Sequence, residues 1–360
     1  MDSKRIRSLD GLRAMAILLV VGYHYFSRWS PPKSPENLYP HGSTFADWPA
    51  FSMGYLGVEL FFIISGFVIA LTLQSSSSPF SFGVRRFARL FPAMLLCSIA
   101  TILIVRAFDA PYFLFRAQWE NLLPSLTFSD PAIWNWLFGH RFEEVDGAYW
   151  SLQVEVKFYF WAAVLYFMGP QEKFGRRFLA FFTIAMLVYA LQSTSSGAAR
   201  VAEHILIGQY LPWFAAGVGF YLLTVRSRDV VGWLLILEAL IARAAFDTPA
   251  QLVVTVLFFG LFAVALFTPQ YVTLLRSKPV SSLGEASYSF YLLHQVIGVT
   301  ILDATLDSFG MNVALGVLTA AAITICLGFL SFAVYRYCEI PAKRYLMRVA
   351  LRSSRATANA

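Results

Sequence analysis

Two ionisable residues of the first apolar segment, Arg13 and His24, have a spacing that suits chemistry at a membrane. They are eleven positions apart, which places them on one face of an α-helix and about 16 Å apart along its axis. An arginine can bind an anionic ligand, and a neutral imidazole can accept a proton near neutral pH. One helix face therefore offers an anion site at its beginning and a base farther along. The alternative interpretation makes Arg13 a topogenic anchor and His24 an interfacial hydrogen-bonding residue.

Three further ionisable residues, Glu59, Glu155 and His294, lie inside later apolar segments. A charge within a bilayer costs roughly 2.5 kcal/mol or more, so such residues are candidates for function. Counted from the outer end of its own segment, each lies at a depth similar to that of His24. This coincidence predicts one layer of ionisable groups, in which a glutamate pairs with His24 and orients it. The alternative is a structural pair between a glutamate and a lysine or arginine.

Helical spacing groups two further sets of residues. Ser151, Glu155 and Tyr159 follow one another at intervals of four, so they share one face of a helix. Arg86 and Arg89 are three positions apart and share a face on which two guanidinium groups suit phosphate oxygens. Both arginines are equally well explained as positive anchors on the cytoplasmic side. The sequence shows no metal-ligand spacing, so no metal is expected.

The composition shows what kind of element must position these residues. Charged residues make up 14% of the 360-residue chain and hydrophobic residues 58%, whereas soluble proteins carry about 25% charged residues. So few charges cannot cover a water-soluble surface of this size. The net charge of +7 needs no nucleic-acid partner, because membrane proteins collect lysine and arginine in their cytoplasmic loops. The composition therefore predicts a multi-pass protein of a lipid bilayer.

Apolar runs long enough to span a bilayer predict an all-α polytopic protein with about ten transmembrane helices. The predicted spans are residues 9–29, 53–73, 90–107, 149–168, 178–191, 205–225, 230–242, 251–267, 286–302 and 313–337. Most of the 28 lysines and arginines fall on one side when both termini are placed in the cytoplasm, as the positive-inside rule requires.

The motifs together resemble the acyltransferase 3 family of integral membrane acyltransferases. The resemblance runs from "RIRSLDGLRAMAILLVVGYHYF" to "YCEIPAKR", which is nearly the whole chain. Between them lie "GYLGVELFFIISGFVI", "RRFARLFP", "YWSLQVEVKFYF" and "SYSFYLLHQ". These stretches match the family's motifs at Arg13 and His24, Glu59, Arg86 and Arg89, Trp150 with Ser151 and Glu155, and His294.

The resemblance implies an enzyme of the bacterial cytoplasmic membrane that takes an acyl group, most often acetyl, from cytoplasmic acyl-CoA. It implies a sugar hydroxyl of an envelope or exported glycan as the acceptor. Residues 1–345 are expected to form the membrane acyltransferase domain and residues 346–360 a basic cytoplasmic tail. We expect no fused periplasmic domain of the kind that many members carry.

The resulting hypothesis makes His24 the general base that deprotonates the acceptor hydroxyl. A covalent acyl-histidine intermediate is the alternative. The remaining assignments are Glu59 and Glu155 as catalytic carboxylates, Arg13, Arg86 and Arg89 as ligands of the CoA phosphates, and Trp150, Ser151, Tyr159 and His294 as substrate-binding residues. The rival function is a proton-coupled secondary transporter whose relay consists of Glu59, Glu155 and His294. The sequence leaves the acyl chain, the acceptor and the oligomeric state open.

Overall fold

The computed structural model describes residues 6–29, 33–34, 38, 42–45, 48–191, 197–309 and 313–358. This part of the chain is helical and contains no strand, which confirms the predicted all-α class. The long helices are α1 (Arg7–Tyr23), α2 (Gly57–Gln74), α3 (Pro79–Ala107), α4 (Trp150–Phe167), α5 (Phe174–Leu191), α6 (Leu211–Val225), α7 (Val230–Phe246), α8 (Pro249–Phe267), α9 (Ser287–Phe309), α10 (Val313–Val334) and α11 (Ile340–Ala358).

Shorter helical segments connect the long helices. The α-helical ones are Gly42–Phe45, Pro49–Ser52, Leu122–Thr127, Pro131–Phe138, Gly197–Leu206 and Lys278–Glu285. The 3₁₀ turns are Gly54–Leu56, Trp119–Asn121, Gly147–Tyr149, Gln171–Lys173, Pro269–Tyr271 and Leu274–Arg276. Two π-helical turns, His24–Arg28 and Tyr335–Glu339, continue α1 and α10.

Each of the ten predicted spans falls on one of the helices α1 to α10. Within the described residues, seven helical stretches are long and apolar enough to cross a membrane, so the chain is a multi-pass membrane protein. They are Arg7–Arg28, Gly54–Gln74, Pro79–Ala107, Gln171–Leu191, His204–Val225, Pro249–Phe267 and Val313–Ala350. The count of ten spans and the cytoplasmic placement of both termini stay predictions.

Helix α3 begins well before the predicted apolar run, at Pro79 rather than at residue 90. A proline favours the first turn of a helix because its φ angle is already helical and its missing N–H would have no partner there. Hydropathy detects only the apolar part of such a helix. The added turns carry Arg86 and Arg89, so both arginines lie on the helix itself rather than in a loop.

The chain divides into two compact units. The first unit consists of Met1–Leu12, Val58–Gly83 and Val154–Arg276. Within it α2 and α6 pack at close range, since a Cβ on Gly66 would lie 2.2 Å from the carbonyl oxygen of Phe214. Small residues allow such an approach between membrane helices.

The second unit consists of Arg13–Gly57, Val84–Gln153 and Ser277–Ala360. Its most enclosed element is α9, in which every residue from Ser287 to Thr300 is buried. That buried stretch includes polar side chains, among them Ser289, His294 and Gln295. Buried polar groups require hydrogen-bond partners, and the partners of α9 build the site described next.

Candidate active site

Two imidazoles meet in the second unit. His24 is the first residue of the π-helical turn that continues α1, and His294 lies on α9 with a fully buried side chain. The Nε2 atom of His294 is 3.1 Å from the Nδ1 atom of His24. The sequence predicted a carboxylate as a partner of His24, which stays a prediction; within this unit the structure places the imidazole of His294 against its Nδ1 atom. The helical repeat gives the direction of the His24 side chain around its own helix. It could not show which residue of a distant helix lies against its Nδ1 atom.

The hydrogen-bond partners of the two rings fix their tautomers. The Nδ1 atom of His294 is 2.7 Å from the carbonyl oxygen of Tyr291, and the Nδ1 atom of His24 is 3.0 Å from that of Val20. Carbonyl oxygens only accept, so each Nδ1 atom carries the hydrogen. The single Nδ1 hydrogen of His24 is then shared between the carbonyl oxygen of Val20 and the Nε2 atom of His294, whose neutral ring accepts there. This assignment, made from the partners, leaves the lone pair of His24 on its Nε2 atom, where it can take a proton.

Helix α9 is held at His294 by the segment that precedes α4. The backbone N–H of Val296 donates to Oδ2 of Asp146 at 2.9 Å, and the hydroxyl of Tyr149 donates to the carbonyl oxygen of Leu292 at 3.2 Å. The Val296 amide and the Leu292 carbonyl are partners in an ideal α-helix. Two side chains thus bind backbone groups of α9 on either side of His294. These bonds hold the helix, and with it the His294 ring, in place.

A third contact comes from α1. The hydroxyl of Tyr25 donates to the carbonyl oxygen of His294 at 2.8 Å. A Cβ on Gly298 would lie 1.8 Å from that hydroxyl oxygen, so only glycine leaves room for it. The residue after His24 therefore ties the backbone of His294 to the same turn that carries the His24 ring.

Asp146, in the segment between α3 and α4, is a functional candidate that the sequence did not single out. It is 0% exposed and caps the Gly147–Tyr149 turn by accepting from the backbone N–H of Ala148 at 2.8 Å. Burial raises its pKa to about 6, although the N–H groups of Ala148 and Val296 favour the charged form. The available signal was an aspartate directly before Gly147, at a position that favours a helix cap.

Ser151 also helps to hold α9 in place near His294. Its hydroxyl is 2.8 Å from that of Tyr291, whose hydroxyl also donates to the carbonyl oxygen of Ala148 at 2.9 Å. Tyr291 in turn supplies the carbonyl that binds His294. The neighbouring Trp150, predicted to bind substrate, is exposed. Ser151 therefore supports the imidazole pair through Tyr291.

Glu155 lies in the first unit with two hydroxyl donors. Its Oε1 atom accepts from Ser65 at 2.6 Å and from Tyr159 at 2.6 Å. The shared face of Glu155 and Tyr159 agrees with the predicted helical spacing, whereas Ser65 on α2 could not be inferred from it. Two charge-assisted hydrogen bonds hold this carboxylate in one orientation.

Glu59, also in the first unit, lies beside a buried ion pair. Arg243 on α7 is 7% exposed, donates from Nε to Asp247 at 2.9 Å and interacts electrostatically with Glu59. Among the described residues, the buried Oε2 atom of Glu59 has no hydrogen-bond partner. Arg243 and Asp247 were not predicted as site residues, because an i, i+4 pair near a helix end is common on surfaces.

The predicted phosphate ligands lie in the second unit. Arg13 is half-buried on α1, and Arg86 and Arg89 are half-buried on α3. Arg89 interacts electrostatically with Glu339, the last residue of the second π-helical turn. In the described part of the chain, no group of three or more histidine, cysteine or acidic side chains is placed to hold a metal ion.

Comparisons with known proteins agree on one family. The domain model of the acyltransferase 3 family, described as an acyltransferase domain, matches residues 6–334. Acyltransferase MdmB of Streptomyces mycarofaciens is 25% identical over 325 residues, which are 81% of this chain and 79% of that protein. Peptidoglycan O-acetyltransferase OatA of Listeria monocytogenes is 28% identical over 177 residues, 45% of this chain, and the match spans 24% of that longer relative. No solved structure gives a significant match.

Proposed function

The chain belongs to the acyltransferase 3 family, and on that premise we propose that it moves an acyl group from acyl-CoA to a sugar hydroxyl, with His24 as the general base. The chain is thus a membrane acyltransferase, and the donor, the acceptor and the base are the proposal. The observation that carries it is the bond between His24 and His294, which leaves the Nε2 atom of His24 able to accept a proton.

The proposed reaction is a direct transfer. The Nε2 atom of His24 takes the proton of the acceptor hydroxyl as its oxygen attacks the thioester carbonyl carbon. The carbon–sulfur bond breaks, and the departing thiolate of CoA receives the proton from the imidazolium. The bond from His24 Nδ1 to His294 shortens as His24 becomes positive, since charged donors make stronger hydrogen bonds. An acyl-histidine intermediate would use the same Nε2 atom as the nucleophile.

The donor is held by its phosphates in this proposal. Arg13, Arg86 and Arg89 bind the phosphate groups of acyl-CoA, because planar guanidinium groups match phosphate oxygens in geometry and charge. Acetyl is the acyl group that we propose, since the Listeria relative is named as an O-acetyltransferase.

The acceptor and the location follow from the relatives. The Listeria relative is named for peptidoglycan, which is an envelope glycan, and the relatives reported above are bacterial. We therefore place this chain in the bacterial cytoplasmic membrane with an envelope or exported glycan as the acceptor. We propose Glu59 and Glu155 as catalytic carboxylates, Trp150, Ser151 and Tyr159 as substrate-binding residues, and His294 as the residue that positions His24.

Transfer by purified protein tests the proposal. Full-length protein in detergent is mixed with radiolabelled acetyl-CoA and an envelope glycan fraction, and label in the glycan is measured. We expect His24→Ala to lower transfer about 10²- to 10⁴-fold, the range that a general base contributes. The control is His140→Ala, a half-exposed histidine between α3 and α4, which should retain transfer. Wild-type transfer by His24→Ala refutes both versions of the mechanism, and wild-type protein that does not bind acetyl-CoA favours a transporter.

A further inference from the structure

A fourth cation joins the arginines of α3 from the other end of the chain. Lys343 lies on α11 and interacts electrostatically with Arg85, Arg86 and Arg89 of α3 and with Glu339. Glu339 and Lys343 are one helical turn apart, so they share a face.

Contacts among α3, α9 and the second π-helical turn place the start of α11 near α3. The hydroxyl of Tyr288 on α9 donates to the carbonyl oxygen of Leu90 on α3 at 3.0 Å. In the π-helical turn, the Cys338 thiol lies 3.9 Å from the carbonyl oxygen of Pro92 on α3. Ser289 donates a hydrogen bond to Glu339. These contacts fix the π-helical turn one helical turn beyond Arg86 and Arg89. Lys343 follows Glu339 by one helical turn, so these contacts also place it near the arginines of α3.

Positive groups predominate among those that interact with Lys343. Three of them are arginines, and one, Glu339, is a carboxylate. Within the described residues, the buried Nε atom of Arg85 has no hydrogen-bond partner, while the Lys343 side chain is exposed. Like charges at close range repel, so a ligand with several negative charges would be bound strongly here.

We propose that Lys343 and Arg85 complete the phosphate subsite for the donor, with α11 as one wall of it. This inference rests on the proposed function, since acyl-CoA is the polyphosphate ligand that it invokes. CoA carries a diphosphate and a separate 3′-phosphate, which is enough negative charge for a cluster of four cations. Anionic lipid headgroups share this phosphate chemistry and also bind basic clusters at the cytoplasmic membrane face.

Direct binding separates the two sources of phosphate. CoA, dephospho-CoA and cardiolipin are titrated separately into full-length protein in neutral detergent. Lys343→Gln is compared with Arg344→Gln, which removes the charge of the next exposed residue on α11. We expect Lys343→Gln to weaken CoA binding about tenfold, as for the loss of one hydrogen bond to a charged group. Lys343→Arg and Arg344→Gln should stay within about twofold of wild type.

The CoA and cardiolipin affinities of the variants decide whether Lys343 binds the donor. Equal CoA affinity for Lys343→Gln and Arg344→Gln overturns the inference and leaves the proposed function intact. A Lys343→Gln loss seen only with cardiolipin assigns the cluster to a lipid and also overturns it. Wild-type protein without affinity for CoA contradicts the proposed function itself. If Lys343→Gln loses less affinity for dephospho-CoA than for CoA, the result supports the inference and places Lys343 at the 3′-phosphate. Thermal melting of each variant excludes misfolding, and Lys343→Arg provides the comparison if Lys343→Gln melts early.

Discussion

The Nε2 atom of His294 lies 3.1 Å from the Nδ1 atom of His24, and the Nδ1 atom of His294 lies 2.7 Å from the carbonyl oxygen of Tyr291. Two rings from separate helices thus form one hydrogen-bonded chain that ends on a backbone carbonyl. Because that carbonyl only accepts, the chain has one direction, and the free lone pair sits on the Nε2 atom of His24.

This relationship makes His294 a positioning residue whose loss should affect turnover more than binding. We expect His294→Leu to lower kcat by about 10- to 100-fold with an unchanged KM for acetyl-CoA, because the imidazole acceptor of His24 Nδ1–H is gone and only the Val20 carbonyl remains. His294→Gln keeps a carbonyl acceptor and should recover part of the loss. Steady-state kinetics and a pH–rate profile measure both effects. A rise in KM with wild-type kcat would instead make His294 a substrate ligand.

Asp146 predicts a pH dependence of stability. Its pKa is 3.8 ordinarily and about 6 in the folded chain because of burial, so the folded state binds the proton more tightly. Its contribution to stability is therefore complete below about pH 4 and is lost as the pH rises through 6.

Asp146→Asn should remove this part of the pH dependence, since asparagine does not titrate. Melting temperatures in detergent between pH 4 and 7.5 measure the slope for wild type and variant. Glu120→Gln, which neutralises an exposed carboxylate of the same loop, should keep the wild-type slope. Parallel curves for wild type and Asp146→Asn would contradict the assignment.

Glu155→Gln separates a structural role from a catalytic one. Glutamine keeps an oxygen that can accept from Ser65 and Tyr159, so we expect a nearly unchanged melting temperature. We expect kcat to fall at least about tenfold because the negative charge is lost. Glu238→Gln is the control, since Glu238 accepts from Thr183 at 3.0 Å and carries no proposed role. Wild-type turnover by Glu155→Gln would leave this carboxylate purely structural.

Gly298→Ala tests the hydrogen bond from Tyr25 to the backbone of His294 without changing a polar group. The new methyl group would overlap the Tyr25 side chain, and overpacking of this kind costs about 1–3 kcal/mol. Gly260→Ala on α8 has nothing within 4 Å and should be neutral or stabilising by up to about 1 kcal/mol. Melting temperatures report both changes. In a Tyr25→Leu background the penalty should shrink, and an undiminished penalty would show that Tyr25 is not its cause.

Arg86→Ala should weaken the binding of acyl-CoA without slowing the transfer step. We expect KM for acetyl-CoA to rise about tenfold with kcat within about twofold of wild type, as for one lost bond to a charged group. Arg228→Ala changes an exposed arginine between α6 and α7 and serves as the matched control. An unchanged KM for Arg86→Ala would remove this arginine from the phosphate site.

The sequence by itself determined the membrane class, the helices and the family. Apolar runs predict membrane helices because burial in lipid depends on local composition. The five motifs each lie in a short stretch of sequence, so the family can be recognised without knowing the fold. The shared face of Glu155 and Tyr159 followed from the helical repeat alone. The start of α3 was missed, since its first turns are not apolar.

Only the tertiary structure decided which residues serve His24. His294 is 270 positions away, and the bond from Tyr149 to Leu292 joins residues 143 positions apart. A helical repeat gives the direction of a side chain around its own axis and says nothing of which helix lies opposite. The burial of Asp146 and the approach of Lys343 to the arginines of α3 depend on packing in the same way. These contacts between distant helices turn separate motifs into a site.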